Sequence, residues 1–166
     1  VDDGSTDNTI NKIFEEFSNN NKIIVIQREH NKGLLQSIKF AIQSITGEYF
    51  VVMDGDGQHS PKDIPILLEE LHNNDLAIGV RNLNNTVAIS KKRNLISKFF
   101  NRVISLVLNK KISDPLTGFF AGNINILNKK FFLLDNSGFK ILLDLIFSNK
   151  KKSIKISEKF KLIILY

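Results

Sequence analysis

Tyr49-Phe50-Val51-Val52-Met53-Asp54-Gly55-Asp56-Gly57-Gln58-His59 passes directly from an apolar run into a cluster of reactive groups. The first five residues are aromatic, β-branched or apolar, the composition of a strand buried in a sheet. Two carboxylates then flank one glycine. Acids placed this way at a strand end can converge on one hard cation. Glycine lets the backbone come close and adopt dihedrals closed to other residues. A divalent ion held there can bridge a diphosphate and neutralise its charge as it leaves. Asp-Gly-Asp alone is also what a plain acidic turn looks like, and the tripeptide by itself favours that simpler reading.

Working outward, helical and strand patterns alternate. Ile10, Ile13, Phe14 and Phe17 fall at helical spacing, preceded by the capping-type residues Ser5, Thr6 and Asp7. Ile23-Ile24-Val25-Ile26, within residues 22–27, predicts a short buried parallel strand. Leu34, Ile38, Ala41 and Ile45 share a helical face. Pro61 opens a helix marked by Ile64, Leu67, Leu68 and Leu71, and residues 76–80 form a further strand. This order is that of βαβ units in a mostly parallel sheet with helices on both faces. The second half predicts a long helix lined by Leu95, Ile96, Phe99, Phe100, Val103, Ile104 and Val107. A loop at residues 113–118 and a Phe-rich segment follow. A last helix carries Phe139, Leu142, Leu143, Leu145 and Ile146, and residues 155–165 read as a closing strand. With no repeat and no linker, residues 1–166 are expected to form a single domain.

Composition narrows the function classes. Hydrophobic residues make up 42% and charged residues 24% of the 166, which excludes disorder along the whole chain. There are no cysteines, which excludes a disulfide scaffold, a thiolate zinc site and a cysteine nucleophile. The net charge is +6, with Lys91, Lys92, Arg93, Lys98, Arg102, Lys110 and Lys111 concentrated in the second half. Such a balance suits nucleic acid, an anionic lipid surface or phosphorylated small molecules, or it merely solubilises. No zinc motif and no RNA-binding aromatic signature favours nucleic acid. No secretory signal opens the chain, and no apolar run approaches the about 18 residues that span a bilayer, so membrane contact is expected to be peripheral.

Two further segments carry candidate groups. Asp2-Asp3-Gly4-Ser5-Thr6-Asp7 reads as the end of a strand that itself lies outside the chain, followed by a helix start. Its carboxylates can accept hydrogen bonds from a base N–H or ribose hydroxyls, while Ser5 or Asp7 caps the helix. Ser113-Asp114-Pro115-Leu116-Thr117-Gly118-Phe119-Phe120 places a carboxylate beside a proline in a rigid loop, which alone favours the reading as an ordinary turn.

Taken together, the first segment, Asn31-Lys32-Gly33-Leu34 and Met53 through Pro61 resemble the inverting family 2 glycosyltransferases in order and spacing. Asp56-Gly57-Gln58-His59-Ser60-Pro61, Gly79-Val80-Arg81, the loop Ser113 to Phe119 and Gly138 to Leu143 are similar to the polyprenyl-phosphate (dolichyl-phosphate) mannosyltransferases among them. The resemblance implies a Rossmann-like α/β fold of the GT-A type and a Mg²⁺ or Mn²⁺ cofactor. It implies a nucleotide-sugar donor, GDP-mannose ahead of UDP-glucose, and a polyprenyl or dolichyl phosphate acceptor at the cytoplasmic face of a membrane.

By position, it implies that Asp2 and Asp3 hold the nucleotide. Asp54, Asp56 and Gln58 would form the metal and diphosphate site, and Arg81 would face the phosphates. Asp114 would lie near the sugar or acceptor phosphate, with Asp56, Arg81 and Asp114 as the catalytic set. Arg93, Ser97 and Asn101 share a helical face and either join the acceptor site or form solvated surface. The family's opening Pro-x-Tyr-Asn-Glu-like segment is absent. Lys155-Ile156-Ser157-Glu158-Lys159-Phe160-Lys161 stands where an arginine- and lysine-containing loop is expected. Two other readings fit the residues: a glycosyltransferase with a hydroxyl acceptor, and a basic module without catalysis.

Overall fold

The computed structural model describes residues 1–30, 33–81, 112–133 and 141–162. Asn31, Lys32, Phe139, the predicted helix with Arg93, Ser97 and Asn101, and the lysines at 91, 92, 98, 110 and 111 lie outside them. The described residues group into two compact units, residues 1–46 and residues 47–133 with 141–162.

In the first unit, α1 spans Thr9–Phe17 and α2 spans Leu34–Ile42. The Asp7 carboxylate accepts the Thr9 N–H at 3.1 Å, which settles one donor at the start of α1. Gly33 precedes α2 with φ 132, a conformation that disfavours any side chain. Leu35 and Ile42 turn inward from α2, whereas α1 buries no residue among those described. The strand expected over residues 22–27 does not form. A single parallel bridge joins Asp2 to Gln27, made by Asp2 N–H to Ile26 C=O at 2.7 Å and Arg28 N–H to Asp2 C=O at 2.9 Å. A ladder needs a run of partners, and among the described residues Asp2 alone pairs with this segment. Ile24 is consequently 67% exposed.

The second unit is built on a four-stranded sheet. Its strands are β1 (Tyr49–Val52), β2 (Leu76–Arg81), β3 (Phe120–Asn123) and β4 (Ile156–Leu162), in the order β1-β3-β2-β4. β3 runs antiparallel to both neighbours, and β2 pairs parallel with β4. β1, β2 and β4 thus share one direction. The sheet is mixed where the sequence led us to expect parallel neighbours, because β3 enters between β1 and β2. Small residues permit this. Gly122 pairs with Phe50, and a Cβ on Gly122 would lie 2.6 Å from the Phe50 ring.

A 3₁₀ turn at Pro61–Asp63 leads into α3 (Ile64–Glu70). Leu67 and the following Leu71 pack on Ala77, Phe119 and Ala121 of the sheet side. Each large apolar side chain buried this way contributes about 1.5–3 kcal/mol. Helices α4 (Lys129–Leu133) and α5 (Ile141–Ser148) also belong to this unit. Just after α5 the fully buried Asn149 donates to the carbonyls of Ile126 at 2.8 Å and Leu145 at 2.9 Å.

Candidate active site

The strand register gathers one group of polar residues at a single sheet edge. β1, β2 and β4 all end there, and β3 begins there, since Phe120 pairs with both Val52 and Ile78. The carboxyl ends of strands are where open α/β sheets bind ligands. Asp54 lies two residues beyond β1, Arg81 closes β2, and the loop from Ser113 to Phe119 leads into β3.

That loop is fixed from several sides. The Thr117 hydroxyl donates to Gly79 C=O at 3.0 Å, and Gly79 N–H donates to Phe119 C=O at 2.9 Å. These bonds tie the loop to the end of β2. Ser113 donates its N–H and its hydroxyl to Glu158 of β4. Pro115 is buried, and Asp114 between them is half-buried.

The Asp54 carboxylate packs against this loop. A Cβ built on Gly118 would fall 2.0 Å from Asp54 Oδ2 and 2.5 Å from its Cγ. The hydrogen of Gly118 therefore leaves the space that the carboxylate fills. His59, 7% exposed, stacks on Phe119 with centroids 5.1 Å apart, and its Nε2 stands 3.9 Å from Asp54 Oδ2. Asp56 is exposed, and its Oδ1 accepts Gln58 N–H at 3.0 Å across Gly57, whose φ is 77.

Among the described residues no group of three or more His, Asp or Glu side chains is gathered to hold a metal alone. Asp54, Asp56 and Gln58 offer oxygen donors, the chemistry preferred by Mg²⁺ and Mn²⁺. Mg²⁺ is commonly held by one or two carboxylates plus substrate phosphates, so this donor set fits such an ion.

Asp2 and Asp3 belong to the first unit. Asp2 Oδ2 accepts the N–H groups of Gly4 and Ser5, both at 3.0 Å, and Oδ1 accepts the Ser5 hydroxyl. The Ser5 hydroxyl, then the Ser5 amide, holds the Asp2 carboxyl below the ordinary carboxylate range. Asp3 anchors a tighter knot. Its Oδ1 takes Arg28 at 3.1 Å and the Ser37 hydroxyl at 2.8 Å, and its Oδ2 takes Gly33 N–H at 2.8 Å. Arg28 also donates to Ser37 at 2.7 Å.

Sequence reasoning missed Arg28, Ser37 and Glu158, and it assigned no role to His59 or Gly118. A basic residue directly after the apolar run 23–26 is a signal for Arg28. Ser37 and Glu158 act across 34 and 45 residues, distances at which no local pattern registers.

Comparison with known proteins bears on the family and the fold. The family model of glycosyl transferase family 2 matches residues 1–131. A dolichol-phosphate mannosyltransferase of Pyrococcus furiosus is 36% identical over 93% of this chain and 44% of its own length. The Saccharomyces cerevisiae protein of the same name is 28% identical over 88% of this chain and 55% of its own length. The chain thus spans about half the length of these relatives. Among solved structures, glucosyl-3-phosphoglycerate synthase from Mycobacterium tuberculosis in complex with UDP superposes with a TM-score of 0.72 at 16% identity, covering 99% of this chain and 58% of that one. The same enzyme with Mg²⁺ and UDP gives a TM-score of 0.66 at 19% identity over 98% and 57%. These likenesses show the α/β fold of the GT-A type, and the sequence match shows descent: the chain belongs to glycosyl transferase family 2.

Proposed function

We propose that the protein transfers a sugar, with inversion, from a nucleotide-sugar to a polyprenyl or dolichyl phosphate, and that mannose from GDP-mannose is the donor group. The observation that carries this reading is the contact of the Asp54 carboxylate with the Ser113–Phe119 loop at the carboxyl edge of the sheet. In this reading it would join the diphosphate end of the reaction to the acceptor end. The names of the Pyrococcus and yeast relatives support the lipid phosphate and the mannose. The mycobacterial structures contain UDP, which makes uridine the competing nucleotide.

In this reading Asp54, Asp56 and Gln58 hold a Mg²⁺ or Mn²⁺ ion, which would neutralise charge on the departing diphosphate. Asp2 and Asp3 serve the nucleoside, with Asp3 acting mainly by fixing Arg28 and the start of α2. Arg81 is assigned to the phosphates by its place at the end of β2. An acceptor phosphate oxygen attacks the anomeric carbon as the bond to the diphosphate breaks, and the electron pair leaves with the nucleoside diphosphate. A phosphate is already anionic near neutral pH, so positioning and charge stabilisation dominate and no strong base is required. Asp114 accordingly orients the acceptor. A hydroxyl acceptor would instead need Asp114 as a base, and its replacement by Asn would then abolish turnover rather than weaken it.

The acceptor phosphate lies at headgroup level, so we place the protein peripherally at the cytoplasmic face of a membrane. No helix among the described residues is long and apolar enough to cross one. Calorimetric titration of GDP with and without Mn²⁺ tests the proposal. Binding strengthened at least tenfold by Mn²⁺, with UDP a weaker competitor, is expected. Metal-independent binding overturns the site, and a preference for UDP moves the donor to the uridine class.

A further inference from the structure

We infer that Gly118 is a positioning residue, acting through Asp54. It reserves the space in which the Asp54 carboxylate is held for the diphosphate-bound ion. The inference rests on the metal-site reading above and extends it to a residue on a different element.

The geometry is specific. The position of a Cβ on Gly118 lies 2.0 Å from Asp54 Oδ2, 2.5 Å from Cγ and 2.6 Å from Oδ1. The three nearest atoms all belong to that one carboxylate, so it is the first group a methyl would meet. Gly118 has no positive φ, so its backbone does not itself demand glycine. On another side the carboxylate meets His59, which is buried and stacked on Phe119, the residue next to Gly118. Gly118 is itself held in place through Thr117, which bonds to Gly79 of β2. The hollow is therefore part of the sheet edge and not of a loose loop. Gly55 makes the contrast, since a Cβ there meets nothing within 4 Å.

A methyl group on Gly118 would displace the Asp54 carboxylate first. Binding of an ion that needs the carboxylate in place should suffer, while the fold and metal-independent nucleotide contacts are spared. The test compares wild type, Gly118→Ala, Asp54→Ala and the double variant, using the full chain. Melting temperature and GDP affinity are read with and without Mn²⁺. In Gly118→Ala the enhancement by Mn²⁺ should fall about tenfold or more, with GDP affinity in chelator unchanged. In the double variant the methyl enters space that Asp54 has vacated, so the loss should equal that of Asp54→Ala alone. If Gly118→Ala melts early, the double variant should recover the lost degrees.

An enhancement kept within twofold in Gly118→Ala, additive losses, or a double variant that melts as early as the single would each overturn the inference. Should wild type itself show no Mn²⁺ enhancement, the metal-site reading fails and takes this inference with it. Failure confined to Gly118→Ala, with Asp54→Ala still abolishing the enhancement, removes the inference alone.

Discussion

Glu158 receives both the backbone N–H and the hydroxyl of Ser113, at 2.6 Å to Oε1 and 2.8 Å to Oε2. A β4 side chain thus clamps the residue immediately before Asp114. Bidentate, charge-assisted bonds of this kind fix direction as well as distance. Glu158→Ala should release the start of the loop while Thr117 and Gly79 keep its far end. We expect KM for the phosphate acceptor to rise at least fivefold with donor KM nearly unchanged, measured by steady-state kinetics with each substrate varied. Equal increases for both substrates would contradict a role confined to the Asp114 loop.

Among the described residues, Asp56 makes one local bond, to Gln58 N–H. An exposed loop carboxylate of this kind changes stability by about 0.5 kcal/mol or less when removed. Asp56→Ala should therefore melt near wild type and lose the Mn²⁺-dependent part of its GDP affinity. Calorimetry in Mn²⁺ and in chelator measures the difference. Retained metal dependence would remove Asp56 from the site.

Asp3 behaves differently, because two of its partners, Arg28 and Ser37, are buried. Arg28 has a side-chain exposure of 7%, against 31% for Asp3. Deleting the acid removes the carboxylate that pairs with this guanidinium and that accepts from Gly33 and Ser37. Hydrogen bonds to charged groups contribute about 1.5–3 kcal/mol, so Asp3→Ala should destabilise by about 2 kcal/mol in urea unfolding. Amide exchange at Gly33 should accelerate in parallel. A change below about 0.5 kcal/mol would show that the knot is not structural.

Lys159 and Glu70 pair at 2.8 Å between β4 and α3, and Ser157 also donates to Glu70. The Lys159 ammonium, then the Ser157 hydroxyl, holds the Glu70 carboxyl below its ordinary 4.5, and Glu70 in turn holds Lys159 above its ordinary 10.5. A lowered carboxyl stabilises above its unfolded value and loses that contribution as pH falls through the folded value. A raised ammonium stabilises below its unfolded value and loses that contribution as pH rises through the folded value. The pair should thus stabilise between 4.5 and 10.5 and fade outside that window at both ends. Both groups are solvent-accessible, so the effect is modest and salt-sensitive. Lys159→Met should melt below wild type inside the window and converge with it at low pH, as differential scanning calorimetry across pH will register. A constant difference down to strongly acid pH would contradict the pair.

Local patterns determined most of the elements of this protein. The run at residues 49–53 became β1, Pro61 and the leucines after it became α3, and residues 76–80 and the closing run became β2 and β4. Hydrophobic periodicity is a property of neighbours in the chain, so it survives without knowledge of the fold. The placement of Asp54 just past a strand was legible for the same reason, and family membership followed from the motifs. The run at residues 23–26 has the same apolar character yet makes one bridge, because a strand exists only where another backbone lies beside it.

What the tertiary structure decided are the relations between distant residues. β3 enters between β1 and β2 because Gly122 leaves room for the ring of Phe50. Asp54 meets Gly118 across 64 residues, Ser113 meets Glu158 across 45, and Asp3 meets Ser37 across 34. Each is a contact of side-chain volume or hydrogen-bond geometry between separate elements. Such contacts depend on register and packing in three dimensions, and the spacing of residues along the chain carries no record of them.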